Sequence, residues 1–260
     1  MPLATRAHLH RDAPQAWTHP AVAAISFHDI DLDTPGVLVP RPETQIVVRF
    51  GPMARDGLDA HAIGARQRVH RKLVRGGQRT LVMRLRLGMD RSILGAPASA
   101  LVGHVVALED LWGPDAARLF DQLADARDMN AAAAALERAV SQRLATADAP
   151  NGALRFALEA APRLQSAKVD AVASDLGVSA RHLRRVFREA LGVSPKAFAR
   201  LERFRRALRV ARENGRAGWA DVAAGAGYYD QAHLIAEFRA IAGVTPSVLV
   251  RELDAGSQIA

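Results

Sequence analysis

The sequence predicts an α+β chain of two domains, a β-rich N-terminal half with trailing helices and an all-α C-terminal half. Three observations carry this expectation. After Lys168 a helical unit occurs twice at a nearly constant offset. Between Gln45 and Leu87, short apolar runs alternate in strand fashion around a Gly-Gly pair. Between these regions, Asp148-Ala149-Pro150-Asn151-Gly152 gathers residues that end elements and open turns. The expected domains are therefore 1–148 and 149–254.

In the N-terminal half, Gln45–Phe50 (QIVVRF) reads as a strand. Arg66–Val74 and Arg79–Leu87 flank Gly76-Gly77, a pair suited to a tight turn, and are expected to form a hairpin. Leu81, Met83, Leu85 and Leu87 alternate with Val82, Arg84 and Arg86, giving one core face and one partly polar face. Strand character extends to about residue 112. Asp115–Arg127 and the alanine-rich Asn130–Thr146 then read as helices. The half is thus expected to be β-rich over 1–112 and helical over 113–147.

In the C-terminal half, Leu183 to Pro195 (LRRVFREALGVSP) returns 51 positions later as Leu234 to Pro246 (LIAEFRAIAGVTP), each copy preceded by a histidine, His182 or His233. Upstream the offset is 50, pairing Val172-Ala173 with Val222-Ala223 and Gly177 with Gly227, so one extra residue lies in the second copy's turn. In the first copy, Val169, Val172, Ala173 and Leu176 form the apolar stripe of a short helix, and Gly177 can take the positive φ that ends it. Ser179 is suited to cap the next helix, in which Leu183, Val186, Phe187 and Ala190 face one way and Arg181, Arg184, Arg185 and Arg188 another. Two short helices joined by a glycine turn, the second basic on its outer face, make a helix-turn-helix over 170–191.

The second copy, over 219–242, is built alike. Tyr228 is large enough to pack inward at the turn, Asp230 is the natural cap, and Leu234, Phe238 and Ile241 form the buried face. Gln231 and His233 lie in the first turn of its second helix, where both can hydrogen-bond to bases or phosphates. Between the copies, Ser194-Pro195 opens a helix expected over 195–214. Its 19 residues from Pro195 to Glu213 span about 28 Å, close to the ~34 Å between successive major-groove faces.

Residues from about Asn151 to Leu253 resemble the DNA-binding domain of AraC/XylS-type transcriptional regulators. The motifs that carry the resemblance are VASDLGVSARHLRRVFREALGVSPKAF and ADVAAGAGYYDQAHLIAEFRAIAGVTP. It implies seven helices in two subdomains joined by the linker helix, each recognition helix entering a major groove. It places the family's base-reading positions on Arg181, Arg184 and Arg185, then on Gln231, Ala232, His233 and Ala236. The expected DNA-contact set is Ser179, Arg181, His182, Arg184, Arg185, Arg188, Gln231, His233 and Arg239. Two positions depart from the family's habit: Ala236 stands where arginine is common, and Leu234 where an aromatic is frequent. Upstream, Arg84 to Gly113 resembles an uncharacterised domain that commonly precedes this module, and a small cupin-like sensor is one reading of it. The usual Pro-Gly-Gly is Leu87-Gly88-Met89 here.

Composition agrees with a folded DNA binder. The 260 residues are 49% hydrophobic with a net charge of +8. From Arg181 to Arg212 there are eleven Lys/Arg against Glu189 and Glu202, a concentration expected of a polyanion-binding face. No apolar run approaches the ~18 residues of a membrane span, and MPLATRAHLHRDAP has no apolar core of signal-peptide length. The absence of cysteine excludes disulfides, thiolate metal sites and cysteine nucleophiles. The expected compartment is the cytoplasm of a bacterium.

No catalytic constellation, metal site or cofactor motif emerges. His8-x-His10 has ligand-like spacing only, and His61, His70 and His104 lack the clustering of a metal-binding cupin. Glu109-Asp110 reads as local capping, and Trp17 and Trp112 as core. The sequence therefore predicts a non-enzymatic, sequence-specific transcription regulator. Its expected partners are double-stranded DNA, a small-molecule effector of unknown identity, a second copy of the chain, and RNA polymerase in the case of an activator. A constitutive DNA binder whose N-terminal half only dimerises, and an enzyme domain fused to a DNA-binding module, are the alternatives.

Overall fold

The computed structural model describes residues 9–12, 19–213, 218–255 and 257–258. His8 and Trp17 lie outside these residues. The N-terminal half runs β1 (Leu9–Asp12), β2 (Val22–Ile30), β3 (Thr34–Leu38), β4 (Gln45–Phe50), β5 (Leu58–Ile63), β6 (His70–Val74), β7 (Gln78–Leu85), α1 (Asp90–Leu94), α2 (Ala98–Leu101), β8 (Val105–Ala107), α3 (Leu108–Trp112), α4 (Pro114–Ala124) and α5 (Met129–Ala145). Six strands form an antiparallel sheet in the order β1-β2-β7-β4-β5-β8. A second sheet is ordered β6-β3-β9, with β9 (Ser257–Gln258) supplied by the far end of the chain.

Alternation along the central strands explains the layering. Ile46 and Val48 of β4 pair in register with Met83 and Leu81 of β7. All four are fully buried in one core with Leu108 of α3 and Leu136 of α5. Trp112 belongs to this core, and its indole N–H donates to the Ile93 carbonyl at 3.0 Å. Gln45, Thr80 and Val82 take the opposite face, toward β3 and β6, across a gap of about 30 Å³.

The expected hairpin across Gly76-Gly77 does not form. β6 pairs with β3, whereas both edges of β7 are occupied by β2 and β4. Asp33 accepts hydrogen bonds from the Gly76 N–H and from Arg75, which anchors the turn beside β3. Gly76-Gly77 therefore carries the chain from one sheet to the other. The stretch 90–112, read as mostly strand, holds three short helices.

The C-terminal half is α6 (Gly152–Leu164), α7 (Val169–Asp175), α8 (Ala180–Leu191), α9 (Pro195–Glu213), α10 (Trp219–Ala226), α11 (Gln231–Ala242) and α12 (Pro246–Ala255). Phe187 of α8 meets Phe198 of α9 edge-to-face at 5.5 Å in the first core, and Phe204 of α9 meets Phe238 of α11 at 4.6 Å in the second. Burying such a ring stabilises the fold by ~1.5–3 kcal/mol. Position 214, the expected end of the linker helix, lies outside the described residues.

The two halves share both of these cores. Val37 and Val39, from β3 and the segment after it, are buried with Phe238, Leu249 and Leu253. Ala65 is buried with Leu183 and Phe187. Val69 donates its N–H to the Ile241 carbonyl at 2.9 Å, Arg71 reaches Glu252 at 2.8 Å, and β3 pairs in parallel with β9. On the first unit, Gly192 has φ +74°, and a Cβ there would stand 2.7 Å from Val102 and 2.8 Å from the Ala98 backbone. Only glycine allows α2 to come this close.

Candidate nucleic-acid interface

Each unit is a helix, a glycine turn and a second helix, held by the same local chemistry. Gly177 and Gly227 take φ +67° and +82° at the ends of α7 and α10. The next residue's N–H then reaches back to the helix, Val178 to the Ala173 carbonyl at 3.0 Å and Tyr228 to the Ala223 carbonyl at 2.9 Å. Ser179 caps α8 by accepting from the His182 N–H at 3.2 Å, and Asp230 caps α11 by accepting from the His233 N–H at 2.7 Å. Ser179 is therefore a structural cap as well as an expected DNA contact.

The expected contact residues sort onto the outer faces. Arg181, His182, Arg184, Arg185 and Arg188 are all exposed on α8, while Leu183, Val186 and Phe187 are buried beneath them. Gln231, His233 and Arg239 are exposed on α11, with Ala232 and Ala236 between them. Arg184 is 3.0 Å from Asp170, and Arg185 is 3.0 Å from Glu189. Exposed pairs of this kind are worth about 0–1 kcal/mol, so a phosphate or a guanine edge can replace the carboxylate. His182 and His233 each stand edge-on to an aromatic ring, Phe156 at 5.8 Å and Tyr228 at 5.3 Å. These contacts orient the two imidazoles on the surface.

Sequence reasoning missed Tyr229. The extra residue in the second turn falls between Gly227 and the Asp230 cap. Tyr228 occupies the inward place of Val178, so Tyr229 is extruded and 92% exposed. The change of offset from 51 to 50 was the available signal. Here the exposed phenol lies two residues before the start of α11.

The basic linker helix is less available than its charge suggests. Arg200 holds Glu237 of α11 at 2.9 Å, and the Arg203 guanidinium stands 5.5 Å from the centre of the Tyr228 ring. Arg205 is bound to Glu202 at 2.7 Å and Glu43 at 3.3 Å, and Arg212 is 3.6 Å from Asp254. Much of the positive charge counted from Arg181 to Arg212 is thus turned onto protein, while the α8 arginines and, on α9, Lys196 and Arg209 remain exposed.

Elsewhere, His61 lies 3.3 Å from Asp59, which also receives two hydrogen bonds from Arg49. Among the described residues no three His, Asp or Glu side chains gather as a metal-binding group. Glu109 and Asp110 are exposed in the first turn of α3. Among the described residues no single helix is long and apolar enough to cross a membrane.

Residues 172–252 match the family model described as a helix-turn-helix domain. The chain thus carries an AraC-type helix-turn-helix domain over these residues. Among solved structures, those to which the chain is similar include ToxT from Vibrio cholerae. The apo form of a single-residue variant from strain SCE256 is 10% identical, with 88% of this chain and 97% of that chain covered and a TM-score of 0.46. Unsaturated fatty acid-bound wild-type ToxT from the same strain is 8% identical, with coverage of 95% and 99% and a TM-score of 0.46. The C-terminal domain of AraT, a response regulator from Geobacillus stearothermophilus, is 20% identical over 42% of this chain and 89% of that chain, with a TM-score of 0.36. No curated protein matches the sequence.

Proposed function

We propose that residues 149–254 read a specific DNA site with α8 and α11, and that residues 1–148 form a sensor that alters this reading when a signal arrives. The reading set is Ser179, Arg181, His182, Arg184, Arg185, Arg188, Gln231, His233 and Arg239, with Tyr229 added. The four α8 arginines dominate, because a guanidinium can bond bidentately to guanine O6 and N7. The observation that carries the sensor role is the double docking of the N-terminal half. Val37 and Val39 enter the core of the second unit, and Ala65 enters that of the first. A change in the N-terminal half therefore shifts one recognition helix relative to the other, and simultaneous entry into two successive grooves depends on that relation.

Selection of bound sequences from a random DNA pool tests the proposal. The expected product is one motif with two parts centred ~10 bp apart. Its affinity should fall with salt at a log–log slope of about −0.9 per phosphate contacted. Enrichment of no motif would reduce the chain to a nonspecific DNA binder and overturn the reading.

A further inference from the structure

Four parts of the chain converge on a cleft of about 390 Å³ lined by five arginines against two glutamates. Arg41 enters it from the loop after β3, Gln165 from the end of α6, Arg206 and Arg209 from α9, and Leu253 from α12. Arg205 has carboxylate partners in Glu202 and Glu43, and Arg212 has one in Asp254. Arg41 has no carboxylate hydrogen-bonded to it among the described residues, and its Nε is buried without any partner. Burial, then the positive charges of Arg205 and Arg84, outweigh the opposing pull of Glu43 and Glu202 and bring its pKa down to about 10, so at neutral pH the group remains charged. A buried N–H with no acceptor is costly to the fold, and an oxyanion in the cleft would supply one to the Arg41 Nε.

We infer that this cleft is a binding site for a small metabolite bearing two or more oxyanion groups, held by Arg41 of the N-terminal domain together with Arg206 and Arg209 of the linker helix. Guanidinium forks take phosphate or carboxylate oxygens in paired hydrogen bonds. The cleft volume falls within the ~300–1,000 Å³ of small-molecule sites. The gap of about 30 Å³ between the two sheets is too small for such a ligand. The cleft shares no lining residue with the proposed DNA contacts on α8 and α11. An occupant would touch the N-terminal domain, the first unit, the linker helix and the second unit at once. It would therefore set how the two units are held. This deepens the sensor role proposed above and rests on it for its regulatory consequence only.

Thermal unfolding of the full chain without DNA, at ionic strength matched with sodium chloride, tests the site with sodium pyrophosphate and sodium citrate as probes. At least one probe should raise Tm saturably, by about 5–10 °C at a hundredfold excess over Kd. A preference for pyrophosphate identifies a phosphorylated metabolite, and a preference for citrate a polycarboxylate. Arg41→Met, which removes a buried N–H without an acceptor, should keep the Tm without probe near that of the unaltered chain and weaken the saturable shift at least tenfold in Kd. Arg209→Gln, on the exposed side of α9, should weaken it as well, and decides the matter if Arg41→Met does not fold. The pair Arg184→Ala and Arg185→Ala should leave the shift unchanged. No saturable shift beyond the chloride control, a shift that survives both cleft variants, or one lost in the α8 variants would overturn the inference. Since no DNA is present, failure here leaves the DNA-binding reading standing.

Discussion

Helices α8 and α11 are one design used twice, and they differ where DNA would touch them. Both follow a left-handed glycine, start at an oxygen-bearing cap, bury a leucine and a phenylalanine, and end at a second glycine of positive φ. Outside, α8 presents four arginines, while α11 presents Gln231, Ala232, His233, Ala236 and Arg239. The surroundings differ as well. The second unit is closed by Val37, Val39 and the Val69 hydrogen bond, and the first by Ala65 and by α2 against Gly192. Interior positions repeat because each must fill the same space around the same turn. The outer positions carry no such constraint and are available to specify bases.

The largest effects should be the ones the two units share. Phe187→Ala and Phe238→Ala each remove a fully buried ring and should each cost ~3–5 kcal/mol in chemical denaturation. A loss confined to one unit would break the equivalence of the two cores. The next effect should separate them. Arg185→Ala should weaken binding to the selected site by ~1–3 kcal/mol and relax base preference there, while Gln231→Ala costs less, as read by anisotropy titrations on selected and random DNA. Equal losses on both DNAs would assign Arg185 to the phosphates.

The caps return to what is common. Ser179→Ala and Asp230→Ala should each destabilise by ~1 kcal/mol in thermal unfolding, and Ser179→Gly by a few tenths only. A cap variant that loses DNA affinity with no change in Tm would show that this oxygen also contacts DNA. The smallest effect is an added charge. Ala236→Arg should steepen the log–log salt slope by about one unit through a new phosphate contact, and an unchanged slope would mean that this face of α11 does not approach the backbone.

How much was legible in advance depended on the range of the interactions. The glycine turns, the Ser179 and Asp230 caps and the 19-residue linker helix are settled within a few residues, and periodicity exposed them. The α8 arginines were visible for the same reason. Tyr229 was legible only as a shift in offset, because its exposure depends on which of two adjacent tyrosines packs inward. The hairpin expected at Gly76-Gly77 failed because a glycine pair permits a reversal without choosing the partner strand. β2 and β4 occupy both edges of β7, and Asp33 draws the turn toward β3.

By itself, then, the sequence determined the duplicated reading unit, its caps and turns, and the imbalance between an arginine-rich and an arginine-poor recognition helix. These follow from backbone sterics and from helical periodicity, which act over a turn or two. The tertiary structure alone decided where the linker arginines point, that β9 adds to the N-terminal sheet, and that Val37 and Val39 complete the second unit. It also decided that Arg41 lies in a cleft with Arg206 and Arg209, more than 160 positions away along the chain. The physical reason is that burial and charge pairing depend on distance in space, and such contacts leave no local periodicity in the chain.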